Sequence, residues 1–185
     1  LNPNDPEGYA YRGLAKYYLE DYLGSILDYN KSIELESDIS ATYYGRGMAK
    51  YSLADYRDAM LDQNKSIELD PNVFAYYYER AKTKYALGDY RGSIIDDSKA
   101  IKLNPNHSRS YAHRGISKSR LGDYSGGIVD FNKAIQIDSN FALAYAGRGL
   151  ARINLDQKDS GCLDLSKAGE MGYMKVYDSI KEYCN

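Results

Sequence analysis

A repeat of fixed length constrains this chain more than any other feature. Arg-Gly or Arg-Ala recurs at Arg12-Gly13, Arg46-Gly47, Arg80-Ala81, Arg114-Gly115 and Arg148-Gly149, each step being 34 residues with no slippage. Asp-Tyr keeps the same step at Asp21-Tyr22, Asp55-Tyr56, Asp89-Tyr90 and Asp123-Tyr124. A short unit of this kind cannot bury its apolar face alone, so its copies must stack into a continuous core. Five units of 34 fill residues 6–175 of the 185.

Each unit divides into two helical patterns. In the second unit, Tyr43, Gly47, Tyr51 and Leu53 fall at roughly helical spacing, and Ala59, Met60, Gln63, Ile67 and Leu69 follow in a second run. Asp55 stands between the runs, placed to accept from the free N–H groups of the second helix. Gly88 and Gly122 suit helix C-termini, and Asp70-Pro71-Asn72 and Asn104-Pro105-Asn106 read as closing turns. Small residues recur at unit position 8 (Gly13, Gly47, Ala81, Gly115, Gly149), at position 20 (Ser25, Ala59, Ser93, Gly127, Gly161) and at position 27 (Ser32, Ser66, Ala100, Ala134, Ala168). A mid-helix glycine costs about 1 kcal/mol against alanine, so its repetition implies helices that approach too closely for a larger side chain.

This pattern resembles the tetratricopeptide repeat (TPR) family. The family places an aromatic at position 4, here Tyr9, Tyr43, Tyr77, Tyr111 and Tyr145, and another near 17 or 24, here Tyr22, Tyr56, Tyr90 and Tyr124. Pro71 and Pro105 match its position 32. The resemblance implies an all-α fold, an α-α superhelix or TPR solenoid of antiparallel helix pairs with a terminal capping helix. Its expected organisation is a tail of a preceding repeat at 1–5, repeats at 6–39, 40–73, 74–107, 108–141 and a degenerate 142–175, and a capping helix at 176–185. The chain departs from the family at position 7, which is always Arg, and at position 11, which is Lys16, Lys50, Lys84, Lys118 or Arg152. Asp28, Asp62, Asp96, Asp130 and Asp164 recur at position 23. Residues that read a ligand should vary between units, and these do not, so the Arg is expected to reach the Asp of a packed helix as a scaffold element.

Charge and motif narrow the function. The net charge is -2, without the basic face that phosphate contacts require, and no apolar run approaches the ~18 residues of a membrane span. His107 and His113 do not share a helix face as an i, i+4 metal pair would, and His107 is expected to be a solvated loop residue. No catalytic constellation, cofactor motif or metal site is found, and the expectation is a non-enzyme. Cys162 takes a position that is otherwise Ile or Met and reads as a buried thiol. Two free thiols are expected at Cys162 and Cys184, with a disulfide open in an oxidising compartment. The compartment itself is unknown, with a soluble cytoplasmic protein the default.

The resemblance also implies a ligand surface on the first helix of each unit. Carrying the family's groove positions over gives Tyr11, Tyr44, Met48, Tyr51, Tyr78, Lys82, Tyr85, Arg109, His113 and Arg120 as candidate peptide-binding residues. This column set varies between units, as a ligand-reading surface would. Tyr17, Tyr51 and Tyr85, at position 12, read equally as scaffold. The lining is apolar and aromatic at the N-terminal end and cationic around the fourth unit. It suits an extended segment with aromatic or aliphatic side chains and one acidic group. Neither the carboxylate clamp of chaperone-tail binders nor the asparagine ladder of sugar-transferase members is present. The function expected is a protein-interaction scaffold or adaptor; the alternative is a regulatory or targeting TPR domain of a larger enzyme or signalling protein. The open N-terminal face is a candidate for self-association.

Overall fold

The computed structural model describes residues 4–36 and 38–184. Of the expected stub at 1–5 only the last two residues are described, and residue 185 of the expected cap lies outside. The chain is all-α, with no strand among the described residues. It divides into two compact units after Asp89. The first holds α1 (Pro6–Tyr18), α2 (Tyr22–Leu35), α3 (Ser40–Ser52), α4 (Tyr56–Leu69) and α5 (Phe74–Ala86). The second holds α6 (Tyr90–Leu103), α7 (Ser108–Arg120), α8 (Tyr124–Ile137), α9 (Ala142–Ile153), α10 (Lys158–Glu170), a 3-10 turn (Met174–Val176) and α11 (Tyr177–Tyr183). Consecutive helices pack as hairpins, α1 on α2 and α3 on α4 in the first unit, α7 on α8 and α9 on α10 in the second.

Local chemistry sets the hairpin turns. Asp21, Asp55 and Asp123 cap α2, α4 and α8 by accepting from the backbone N–H of Gly24, Asp58 and Gly126. One residue before each cap the backbone turns left-handed. Gly122 does so with φ 83°, whereas Glu20, Ala54 and Asp156 do so at 62°, 60° and 58° against the preference of a side chain.

Glycine lets the paired helices touch backbone to backbone. A Cβ on Gly149 would stand 2.8 Å from the carbonyl oxygen of Gly161, and one on Gly115 would stand 3.1 Å from that of Gly127. In the second hairpin the seam joins a glycine to an alanine: a Cβ on Gly47 would stand 3.4 Å from the carbonyl oxygen of the fully buried Ala59.

The recurring charges form a scaffold, as expected. Arg46 forks onto Asp62 through Nε (2.9 Å) and a terminal nitrogen (2.5 Å), and Lys50 reaches the same carboxylate at 2.8 Å. Arg12 and Lys16 hold Asp28, Arg114 and Lys118 hold Asp130, and Arg148 and Arg152 hold Asp164 in the same way. The Arg12 bond holds the Asp28 carboxyl below its usual range against the opposing pull of burial. The remaining guanidinium nitrogen crosses to the preceding hairpin: Arg46 donates to Asn30, Arg114 to Ser98 and Arg148 to Asn132. Each guanidinium also lies over the position-4 tyrosine of its own helix, Arg46 at 5.4 Å from the Tyr43 ring centre. One residue type thus ties two helices of one hairpin and one of the preceding hairpin.

The C-terminal segment covers the last hairpin. Val176, Ile180 and Cys184 pack against Ala146, Leu165 and Ala168 of α9 and α10. Here the structure departs from the expected free thiols: Cys162 of α10 and Cys184 are joined in a disulfide, their Cα atoms 5.6 Å apart. The 3-10 turn redirects the chain so that α11 returns along α10, which brings its last residues back to the middle of that helix.

Candidate functional site

The site residues fall on the first helix of successive hairpins, and their environments separate them into groups. In the first unit, Tyr11, Tyr44 and Met48 come together around one apolar pocket of about 330 Å³, also lined by Ala10, Leu14, Ile39 and Ala41. Tyr11 is 70% exposed at its rim. Tyr44 is half-buried with its ring 4.9 Å from that of Tyr76. Burial, and then the nearby charge of Glu79, pushes the Tyr44 hydroxyl well above the usual tyrosine range.

Tyr51, Tyr78 and Lys82 form a second group. The Lys82 ammonium lies 4.8 Å from the Tyr51 ring centre and 5.7 Å from that of Tyr78, and it pairs with Glu79 at 2.7 Å. Tyr51 is also committed to its own hairpin, 5.3 Å from the Tyr56 ring, as Tyr17 is to Tyr22 at 5.5 Å. These position-12 rings pack on position 17, which favours their scaffold reading. Tyr85 lies half-buried on α5.

In the second unit Arg109 is exposed near the start of α7. Arg120 reaches a second pocket of about 320 Å³, lined with Ile116, Phe131, Gly147, Leu150 and Asn154. His113 is brought to neither. Its Nδ1 lies 2.7 Å from Oδ2 of Asp97, a carboxylate fully buried in α6. Burial pushes Asp97 up to about 6, against the lowering effect of the His113 bond. Its other oxygen has no hydrogen-bond partner among the described residues. His107 is not the solvated loop residue expected: it is half-buried beside α7 with its Nδ1 2.8 Å from the Ser110 hydroxyl. Burial, and then Arg109, lowers its pKa.

Position-by-position reading of the first helices missed the floor of these pockets. It comes from position 24 of the second helix: Tyr29 under the first pocket and Phe131 under the second, 2% and 1% exposed. The available signal was reciprocity with position 6 of the following unit. Tyr29 and Phe131 face Gly45 and Gly147, whereas Asp97 faces His113.

Hairpins with short first and second helices, small residues at their crossings and a variable face on the first helix define a helical-repeat scaffold fold, one consistent with protein–protein interaction. Residues 40–73 and 108–141 match the family model of the tetratricopeptide repeat, and the fold is that of tetratricopeptide-repeat proteins, as the repeat pattern implied. No curated protein shows significant similarity to the sequence. Among solved structures, MamA is 24% identical, with 89% of this chain and 96% of that one covered and a TM-score of 0.79. YrrB, described as a TPR protein with an unusual peptide-binding site, is 18% identical over 97% of this chain and 94% of its own, with a TM-score of 0.78. The thermophilic TPR protein TTC0263 of Thermus thermophilus is 12% identical over 97% and 99%, with a TM-score of 0.76. At these identities the likeness is one of fold. Among the described residues no group of three or more His, Cys, Asp or Glu could hold a metal ion, and no helix is long and apolar enough to cross a membrane.

Proposed function

We propose that the protein is an adaptor that binds an extended peptide segment on the exposed face of its first helices. The observation that carries this reading is the apolar pocket shared by Tyr11, Tyr44 and Met48. Its volume lies at the low end of the ~300–1,000 Å³ range of small-molecule sites. It suits a side chain or two of a peptide better than a cofactor. Tyrosine supplies large amphipathic contact with few torsions to freeze. The Tyr51–Lys82–Tyr78 stack extends the surface within the first unit, and in the second unit Arg109 and Arg120 would supply charge for an acidic group on a ligand. Tyr85 and His113 contribute support rather than direct contact. The reading takes the chain as five repeats (6–39, 40–73, 74–107, 108–141, 142–175) and a cap. The peptide-binding site that YrrB carries on the same fold supports the mode of use, not the ligand.

The test is a displayed library of random peptides panned against the full chain. Enrichment of a motif with apolar anchors is expected, and Tyr11→Ala should weaken the enriched peptide about tenfold, since this exposed ring contributes little to folding. Absence of any motif above an unrelated helical control would overturn the reading.

A further inference from the structure

Resting on that peptide-binding reading, we propose that the residue at position 6 decides which hairpin junctions can accept a ligand side chain. The proposal assigns Gly45 and Gly147 as the specificity-determining residues that open one anchor pocket in each compact unit. The two pockets are the two places where position 6 is glycine above an aromatic floor. A Cβ on Gly45 would run into the ring of Tyr29, and one on Gly147 into the ring of Phe131. Both rings are buried beneath their own hairpins, so neither can withdraw without disturbing the core. The glycine therefore lets each ring lie against the helix backbone as a floor, and above that floor the scaffold leaves a pocket unfilled. Elsewhere in the columns no aromatic floor faces a glycine. At Asp97, His113 lies across the floor residue at hydrogen-bond distance. On α5, Glu79 takes the position-6 place and is held by Lys82.

The lining defines what each pocket takes. Around Gly45 the walls are Ala10, Leu14, Ile39 and Met48, with Glu7 the single charged residue. This pocket fits a leucine- or phenylalanine-sized side chain, preferably beside a basic residue. Around Gly147 the apolar walls Ile116, Leu150 and Phe131 meet Arg120, Ser119 and Asn154. That pocket fits an apolar side chain with an acidic neighbour. The occupant in both cases is an extended peptide, whose alternate side chains can drop into a pocket while its backbone stays on the surface.

The experiment is an amide NMR titration of the full chain with N-acetyl-leucine, N-acetyl-phenylalanine and N-acetyl-alanine methylamides. The leucine and phenylalanine probes should give saturable shifts at the amides of Gly45 and Gly147, and the alanine probe none. Replacing Gly45 itself risks the fold, so the blocking variant is Ala41→Leu, at an exposed wall position of the first pocket. It should abolish the Gly45 response and leave that of Gly147 intact. It should also weaken a library-selected peptide about tenfold or more, as expected when one apolar anchor is denied burial. Equal responses to all three probes, or a Gly45 response that survives Ala41→Leu, would overturn the proposal. A selected peptide that ignores Ala41→Leu would sink the anchor pockets while leaving peptide binding standing. Saturable probe binding without any selected peptide would do the reverse.

Discussion

Arg46→Ala isolates what the repeating guanidinium contributes. The substitution removes two bonds to Asp62, one to Asn30 across the hairpin junction, and the contact with the Tyr43 ring. Asp62 is 3% exposed, so its carboxylate cannot turn to water. Stripping a buried charge of its partner costs ~3–5 kcal/mol. Lys50 remains at 2.8 Å and keeps the carboxylate compensated, which brings the expected loss to about 2–3 kcal/mol. In a chain of this length that corresponds to a fall of about 4–12 °C in Tm. Lys65 provides the control: it pairs with Glu68 at 2.7 Å, but on an exposed helix face. Lys65→Ala should leave the melting curve in place. Arg46→Lys restores charge without the planar fork and should recover only part of the loss. Urea and thermal melts of the three variants decide the matter. Losses of equal size for Arg46→Ala and Lys65→Ala would refute the scaffold role of the arginine column.

Three further outcomes follow from geometry already described. Ala54 sits at φ 60°, where its Cβ is strained, so Ala54→Gly should raise the urea midpoint by the equivalent of about 0.5–1 kcal/mol; an unchanged or lower midpoint would count against the strain. Asp97, raised to about 6 by burial and faced by His113, Arg114 and Asp96, holds its proton more tightly folded than unfolded. Stability should therefore be greatest below about pH 4 in this respect and fall as pH rises through about 6. Asp97→Asn should flatten that slope, and a slope unchanged by the substitution would exclude Asp97 as its source. The Cys162–Cys184 bond closes a loop with a sequence separation of 22, and its reduction should cost about 3 kcal/mol. A thiol assay in non-reducing denaturant should find no free cysteine; two reactive thiols would remove the bond from the account.

The repeat period made the helix pairs legible because each helix terminus recurs with its own chemistry, as with the capping Asp21, Asp55 and Asp123. The Arg–Asp ties were legible for the same reason: two charges that never vary must meet each other. The tyrosines sort in the same way. Those at positions 4 and 17 are packing elements, and Tyr17 and Tyr51 join them through ring pairs with Tyr22 and Tyr56. What column-wise reading obscured was pairing between columns. Tyr29 with Gly45 and Phe131 with Gly147 are each 16 residues apart, and neither column is regular by itself. Lys82 was legible as a groove cation but not as one already held by Glu79 and two rings. The disulfide escaped because it depends on the direction of α11 after the 3-10 turn, which no period specifies.

That disulfide also acts on local opening. In a linear stack each helix is held by its neighbours, so opening spreads from one helix to the next. At the C-terminal end the covalent tie keeps α11 within reach of α10 after it detaches, so re-docking competes with further opening. Under oxidising conditions amide hydrogens of α10 and α11 should therefore remain protected. Reduction should speed their exchange, so that the redox state sets how readily the α9–α10 hairpin is uncovered.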